Sequence, residues 1–254
     1  MRVVVITQDE PFYLAKNFNY LLKILPKHSK VVGCVVASVS PFGKQESFLK
    51  KIIKTYRIFG IKFFLYYSTK YLLNTIFSNN SFLKVLMNND IPFFKLKGSI
   101  NSEENLKKIN SFKPDILVSI LGNQLFKAPL INLTKFGCLN LHSALLPKYR
   151  GLMPTFWVLK NQEDFTGVSV FFVDEGIDSG PIVVQKKIKI KKRTQKNLIE
   201  ITKKLGMEAI SEAIDLIEKG KVSLIKNDKE LSTYFKFPTR NDVVEFYKSG
   251  NKFF

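Results

Sequence analysis

Long uncharged hydrophobic runs and cysteines are both scarce in this sequence of 254 residues. No segment approaches the roughly 20 apolar residues that a membrane-spanning helix needs, so no transmembrane segment is predicted. The two cysteines, Cys34 and Cys138, lie in separate apolar runs with neither metal-ligand nor disulfide-framework spacing. We therefore expect both in the core of a protein from a reducing compartment. The first residues run directly into a strand-like segment without signal-peptide features, which favours a cytoplasmic location.

Arginine is scarce as well, although the chain is strongly basic. Of the 40 basic residues only five are arginine, against 21 acidic residues, and the formal net charge is +19. The remaining 35 basic residues (40 minus 5) are lysines spread along the whole chain. Nucleic-acid and phosphate readers tend to use arginine forks. We therefore favour a solvated basic surface, with a polyanion-binding surface as the alternative.

Short apolar strands alternate with helical segments along the chain. This alternation predicts an α/β fold with a doubly wound, mostly parallel sheet. Ligands of such sheets bind beyond the carboxyl ends of the strands, so the functional residues are expected at 7–10, 121–124, 140–142 and 174–178. The predicted strands cover residues 3–7, 31–38, 91–96, 115–120, 138–142, 167–173 and 182–190, and a long amphipathic helix covers 194–219.

Residues 42–88 are unusually rich in Phe, Tyr, Ile and Leu, with basic residues between them. We predict a helical insertion here, of one or two helices packed on the sheet edge or at a subunit interface. A basic amphipathic helix that touches a membrane surface is the less favoured alternative.

Asn140 and His142 end the strand predicted at 138–142. Because side chains alternate along a strand, both point to the same side of the sheet. They supply an amide donor and a group that titrates near neutral pH. A loop rich in glycine then follows the strand at 167–173 and returns Asp178 to the same edge. Taken alone, this set leaves a purely structural role for His142 open.

Two segments that carry these residues closely resemble the folate-dependent formyltransferase family. They are NLHSALLPKYRG at 140–151 and TGVSVFFVDEGIDSGP at 166–181. The resemblance covers roughly residues 1–205, and Ser143 departs from the proline of many members. It implies a Rossmann-like domain at 1–220, with 10-formyltetrahydrofolate as formyl donor, a primary amine as acceptor and no metal. Residues 221–254 would form a short extension, a strand or hairpin packed on the core or on the partner of a homodimer.

The resemblance also implies roles for individual residues. Asn140, His142 and Asp178 match the family's catalytic residues: Asn140 would stabilise negative charge on the formyl oxygen, His142 would assist proton transfer, and Asp178 would hold the imidazole or a bridging water. The pterin of the donor would lie between two loops, one formed by Gly122, Asn123, Gln124 and Leu125, the other by Val173, Asp174, Glu175, Gly176 and Ile177.

The acceptor is predicted by elimination to be a nucleotide-linked amino sugar. The turn at 7–11 is acidic and lacks the glycine-rich phosphate loop of glycinamide ribonucleotide enzymes. Methionyl-tRNA, whose enzymes carry a further β-barrel domain, is disfavoured because 34 residues follow Gly220. Nucleic acid is thus the less favoured partner, and deformylation or an inactive binding protein are further alternatives. Candidate acceptor-binding residues are Thr7, Gln8, Asp9, Lys148 and Arg150.

Overall fold

The computed structural model describes residues 1–39, 47–76, 81–191 and 194–254. A seven-stranded sheet forms the centre of this described part, in the order β3-β2-β1-β4-β5-β7-β8. The first five strands in this order are parallel to one another, whereas β7 is antiparallel to both of its neighbours, β5 and β8. In chain order these strands are β1 (Arg2–Gln8), β2 (Lys30–Ala37), β3 (Phe93–Lys95), β4 (Ile116–Ile120), β5 (Cys138–His142), β7 (Phe165–Phe172) and β8 (Ile182–Lys189).

The prediction of a mostly parallel, doubly wound sheet is confirmed. The inner strands are continuous runs of β-branched and apolar residues because helices cover both of their faces. On one face lie α1 (Leu14–Ile24), α4 (Phe82–Asn88) and α8 (Gln195–Glu218), and on the other lie α5 (Glu103–Ser111) and α6 (Ala128–Ile131). Along β1, Val3 and Val5 face the first layer and Val4 and Ile6 the second. Both cysteines are buried in these cores, and burial raises the pKa of each thiol.

The long helix α8 has the ends that the sequence predicts. The Thr194 hydroxyl caps the N-terminus of α8 by accepting a hydrogen bond from the backbone N–H of Asn197 at 3.2 Å. Its last turn is followed by Gly220 in the left-handed region, at φ +63°. Gly206 in mid-helix has a packing reason, since a Cβ there would overlap the side chain of Leu141. The helix therefore lies directly against the strand that carries Asn140 and His142.

A second, aromatic core lies beside the sheet. It joins α2 (Phe48–Phe59), α3 (Ile61–Ile76), α7 (Pro154–Lys160) and the C-terminal helix α9 (Arg240–Lys248) through the rings of Phe59, Phe156, Phe246 and Phe253. The predicted helical insertion thus contains α2, α3 and α4, of which α4 packs in the main core. Residues 42–46 and 77–80 of that insertion lie outside the described residues.

The chain after residue 220 contains the predicted strand and, in addition, a helix that was not predicted. A short strand, β9 (Tyr234–Phe235), is present, but it pairs in parallel with β6 (Arg150–Gly151) instead of with a neighbouring strand of its own segment. The helix α9 that follows was not predicted. Its capping box, in which Thr239 and Asp242 satisfy each other's backbone amides, is a local signal that sequence analysis missed.

No helix in the described ranges combines the length and the apolar character that crossing a bilayer requires.

Candidate active site

His142 lies at the carboxyl end of β5 with its ring almost fully buried. Its Nε2 is 2.7 Å from the carbonyl oxygen of Tyr149. A carbonyl oxygen can only accept a hydrogen bond, so Nε2 carries a hydrogen in either protonation state. In the neutral ring Nδ1 is then the unprotonated nitrogen. This geometry makes Nδ1 the atom of His142 that can gain and lose a proton.

Asp178 faces that nitrogen from the loop between β7 and β8. Its Oδ2 is 3.5 Å from His142 Nδ1, a distance that leaves an ion pair but no short direct hydrogen bond. The same oxygen accepts a hydrogen bond from the Gly151 amide at 2.9 Å. The backbone of Asp178 is left-handed, at φ +49°, a conformation that aspartate tolerates better than most residues. The carboxylate is therefore oriented toward the imidazole by the backbone of the preceding motif.

Tyr149, whose carbonyl holds the imidazole, is itself fixed from three directions. Its amide donates to the Thr233 hydroxyl at 2.8 Å, its ring stacks on Phe235 at 5.2 Å, and its own hydroxyl donates to Glu163 at 2.7 Å. Burial, together with the bond to Glu163, raises the pKa of Tyr149 to about 12. Two of these contacts come from the C-terminal segment, which therefore helps to position His142.

Asn140 lies two residues before His142 in β5, on the same face of the strand. Its side chain is half-buried between neighbours in register on β4 and β7, Ser119 and Phe171. Within the described ranges the Asn140 amide has no hydrogen-bond partner in the protein. A polar amide that is held on a rigid strand and left without a protein partner is available to a ligand.

Ser169 ties the two motif segments together beneath the site. Its hydroxyl donates to the Ala144 carbonyl at 2.8 Å and accepts from the Leu146 amide at 3.0 Å and the Gln185 side chain at 3.0 Å. Glycine is required nearby, because a Cβ at Gly180 would overlap the carbonyl oxygen of Phe172. These contacts explain why the segments that carry His142 and Asp178 occur as a pair.

An open cavity of about 580 Å³ is lined by Ile177 and Ser179, the two sequence neighbours of Asp178, but not by Asp178, His142 or Asn140 themselves. The buried Arg150 guanidinium faces it, and Nη2 donates to the Asn227 side chain at 2.8 Å. Arg150 Nε is buried away from the cavity surface and has no hydrogen-bond partner in the described protein. The lining consists of Arg150, Asp174, Glu175, Gly176, Ile177, Ser179, Asn227 and Lys229.

Four of the five residues in the second predicted pterin loop, Asp174 to Ile177, line the cavity. Val173 of that loop packs instead into the core, with its amide on the Cys138 carbonyl at 2.7 Å. The first loop lies at the neighbouring strand end. There Asn123 donates to Ser38 and Gln124 to Gly98, both at 3.0 Å. The backbone amide of Ala128, shortly after the first loop, donates a hydrogen bond of 3.3 Å to the carboxylate of Glu175 in the second loop.

The other candidate residues lie apart from the cavity, except for Arg150. Lys148 is exposed in the loop after β5, and Gly122 and Leu125 flank the amide pair just described. Thr7, Gln8 and Asp9 are at the carboxyl end of β1, where the Gln8 amide donates to the Leu121 carbonyl. The structure thus brings Asn140, His142, Asp178 and Arg150 to one place and the end of β1 to another part of the same sheet edge.

In the turn after β1, the Glu10 carboxylate occupies the backbone amides at the start of α1, where an anion could otherwise bind. Both oxygens of Glu10 accept hydrogen bonds, from the amides of Phe12, Tyr13 and Leu14, at 2.9 to 3.0 Å. A helix N-terminus binds phosphate through such amides. Because Glu10 already occupies them, α1 offers no phosphate site in this conformation.

Sequence analysis missed the site residues that come from the C-terminal segment. The Asn227 amide donates to the carbonyl oxygens of Asp178 and Gly180, both at 2.9 Å, and Lys229 lines the cavity. No local pattern identifies them, since long-range pairing brings them there: Ile225 pairs with Ile182 on one side of Asn227, and β9 pairs with β6 on the other.

Residues 1–214 match the Formyl transferase family. The chain belongs to this family. The resemblance inferred from the two motif segments is thereby confirmed. A curated relative, the methionyl-tRNA formyltransferase of Kosmotoga olearia, is 36% identical over 157 residues, which are 61% of this chain and 50% of the relative. The chain thus spans about half the length of the curated relatives that it matches.

Solved formyltransferase structures share the fold. Glycinamide ribonucleotide transformylase 1 from Symbiobacterium toebii superimposes with a TM-score of 0.62 at 17% identity, covering 89% of this chain and 92% of its own. The N-formyltransferase from Helicobacter canadensis was determined in complex with folinic acid and dTDP-3-aminofucose. It superimposes with a TM-score of 0.56 at 20% identity, covering 95% of this chain and 72% of its own. At these identities the similarity establishes the fold alone.

Proposed function

We propose that this formyl transferase family member moves a formyl group from 10-formyltetrahydrofolate to a primary amine of a nucleotide-linked amino sugar. The observation that carries the proposal is the arrangement of Asn140, His142 and Asp178 at the carboxyl end of β5. An amide without a partner in the described ranges, an imidazole whose Nδ1 can accept a proton and a carboxylate beside that nitrogen are the groups that acyl transfer to an amine needs.

Each of these residues has a distinct role in the proposed reaction. As the amine nitrogen bonds to the formyl carbon, negative charge develops on the formyl oxygen, and the Asn140 amide donates a hydrogen bond to it. His142 Nδ1 takes the proton that the amine loses and returns it to the departing nitrogen of the donor. Asp178 stabilises the imidazolium between these steps, while Tyr149 keeps the ring in one orientation.

The cavity fits a folate donor, which supplies the activated formyl group. Its volume of about 580 Å³ lies within the range of roughly 300–1,000 Å³ that is typical of small-molecule sites. The two sequence neighbours of Asp178 line it, and its rim is the loop of Asp174 to Ile177, whose family counterparts hold the pterin. Arg150 and Lys229 give one end a positive charge that suits the carboxylates of a folate tail or the phosphates of an acceptor.

The acidic turn after β1 favours an amino sugar over a glycinamide ribonucleotide acceptor. Glu10 occupies the amides at the start of α1, and Asp9 adds a second acid to that turn, so a phosphate there would meet negative charge.

Methionyl-tRNA is the second candidate acceptor, because the curated relatives at 31–36% identity are methionyl-tRNA formyltransferases. The two candidates are separated by measuring formyl transfer at roughly physiological salt, where the Debye length is about 8 Å and diffuse attraction of tRNA to a basic surface is weak. We expect efficient formylation of a nucleotide-linked amino sugar and negligible formylation of methionyl-tRNA. The reverse pattern would make the tRNA the acceptor, and no transfer to either amine would contradict the proposed activity.

A further inference from the structure

The helices α2 and α3 present large apolar side chains to solvent. Nine such residues in these two helices have between 40% and 70% of their surface exposed. They are Phe48, Leu49, Ile53, Tyr56, Ile61, Leu65, Tyr71, Leu72 and Leu73. Scattered single apolar residues on a surface are ordinary, but a cluster of this size on two adjacent helices marks an interaction surface. We name it the α2–α3 face.

The cluster is continuous across the two helices. Leu49, Ile53 and Tyr56 are spaced by four and three residues and so form one stripe along α2. Phe48 at the start of α2 contacts Tyr71 near the end of α3, with ring centroids 6.4 Å apart. Tyr56 near the end of α2 contacts Phe64 near the start of α3, at 6.0 Å. The helices are therefore antiparallel, and their exposed apolar residues adjoin.

The opposite side of the helix pair is anchored in the protein. Phe59 and Phe63 stack at 4.3 Å, and both contact Phe253 in the second core. Gly60 turns the chain between the helices at φ +81°, and Arg240 donates to the neighbouring Ile58 carbonyl at 3.3 Å. The described part of the chain therefore holds the helix pair by its inner side and leaves the side chains of the α2–α3 face exposed.

The charge of the two helices has one sign only. Over the 28 residues of α2 and α3 (12 plus 16) there are six basic residues and no acid. Lys50, Arg57 and Lys62 are exposed, and each directly follows a residue of the exposed apolar set in sequence, which places it at the flank of that residue on the helix. The full set is Lys50, Lys51, Lys54, Arg57, Lys62 and Lys70.

We propose that the α2–α3 face docks on a membrane surface rich in anionic lipids. Leu, Ile, Phe and Tyr enter the boundary between headgroups and acyl chains, and the flanking basic residues contact the lipid phosphates. The charge favours this occupant over a second copy of the chain, because two such basic faces repel one another. The aliphatic stripe favours it over nucleic acid, whose backbone is contacted by polar and basic groups. This inference is independent of the proposed formyl transfer.

Vesicle binding of the full chain tests the proposal. Phosphatidylglycerol–phosphatidylcholine vesicles are compared with pure phosphatidylcholine vesicles by co-sedimentation at roughly physiological salt. We expect binding to the anionic vesicles only. The triple variant Leu49→Ser/Ile53→Ser/Leu65→Ser keeps the net charge and should bind at least about tenfold more weakly, since it loses the buried apolar area. The control Leu224→Ser/Leu231→Ser, at two similarly exposed positions elsewhere, should bind like the wild type.

Two further measurements distinguish binding through the α2–α3 face from nonspecific electrostatic attraction between the vesicles and a protein of net charge +19. Lys50→Gln/Arg57→Gln/Lys62→Gln should weaken binding much more than Lys16→Gln/Lys23→Gln/Lys30→Gln, which removes the same charge from exposed positions outside the face. In Phe48→Trp, the tryptophan emission should shift to the blue on adding anionic vesicles.

Three results would overturn the proposal. One is no binding to anionic vesicles, and another is equal binding by the Ser triple variant and the wild type. The third is a triple variant that binds vesicles normally but loses a dimer or an RNA complex formed by the wild type, which would assign the face to that occupant. Thermal melts of every variant confirm that the fold is intact.

Discussion

The Nε2 atom of His142 lies 2.7 Å from the carbonyl oxygen of Tyr149, seven residues further along the chain. This contact keeps a hydrogen on Nε2 and leaves Nδ1 as the proton acceptor of the ring, which gives Asp178, 3.5 Å from Nδ1, its place in the proposed reaction. The same Tyr149 is held by Thr233 and Phe235. The C-terminal segment is thus coupled to the imidazole through Tyr149.

Asn140→Ala should lower turnover by about 100-fold or more, because removing one donor to a developing oxyanion costs about 10²–10³ in rate. The residue has no protein hydrogen bond to lose in the described ranges, so the melting temperature should stay near that of the wild type. Steady-state kinetics with the identified amine acceptor, together with thermal melts, measure both quantities. A turnover within threefold of the wild type would remove Asn140 from the mechanism.

Asn227→Ala should slow formyl transfer although Asn227 contacts none of the proposed reacting groups. The variant loses the bonds to the Asp178 and Gly180 carbonyls, so the loop that orients the carboxylate loosens. We expect about a tenfold lower kcat, because small misplacement of a catalytic group costs rate.

Asn251→Ala is the matched control for this variant. Asn251 also donates its amide to a backbone carbonyl, that of Leu159 at 3.0 Å, but in the second core. It should lower stability by a similar amount, roughly 1 kcal/mol, and leave kcat unchanged. Equal kinetic effects of the two substitutions would mean that Asn227 acts only through stability.

Glu10→Ala should destabilise the protein by about 1–2 kcal/mol, since the three amides at the start of α1 lose their acceptor. Urea unfolding measures the change. Glu103→Ala is the control: Glu103 lies in the first turn of α5 and pairs with exposed Lys107, so its loss should stay within roughly 0.5 kcal/mol. Similar losses for both variants would contradict the capping role of Glu10.

Folinic acid, a stable analogue of the proposed donor, should raise the melting temperature. A ligand that binds only the native state at about 100 times its Kd adds roughly 2.7 kcal/mol to the free energy of unfolding. Calorimetric titration gives the Kd independently. No shift and no heat of binding at saturating ligand would remove folate as the donor and leave the 580 Å³ cavity to another molecule.

Several elements were predictable because their signals are local. The continuous apolar run of β1 predicted a buried strand. The alternation of side chains along β5 predicted that Asn140 and His142 share one face of the sheet. Thr194 and Gly220 marked both ends of α8. Contacts between distant segments had no such signal. Asn227 is placed beside Asp178 by the single bridge between Ile225 and Ile182 and by the pairing of β9 with β6, which involves two residues in each strand.

The acceptor is not predictable from the catalytic residues, because the same Asn, His and Asp serve any amine. The features on which our proposal of the acceptor rests lie in the parts of the chain with the weakest sequence patterns. These are the acidic turn at Glu10, which proved to cap its own helix, and the C-terminal segment, whose helix α9 was missed despite a readable capping box.

The most direct test of the central claim is the rate of formyl transfer from 10-formyltetrahydrofolate to the amine acceptor in His142→Asn and Asp178→Asn. His28→Asn serves as control, since His28 lies far along the chain from the site and pairs with Glu218 at 2.9 Å. We predict that both site variants keep folinic acid binding and the native melting profile but lose at least about 100-fold in turnover, while His28→Asn stays near the wild-type rate. Near-wild-type turnover in either site variant would contradict the account.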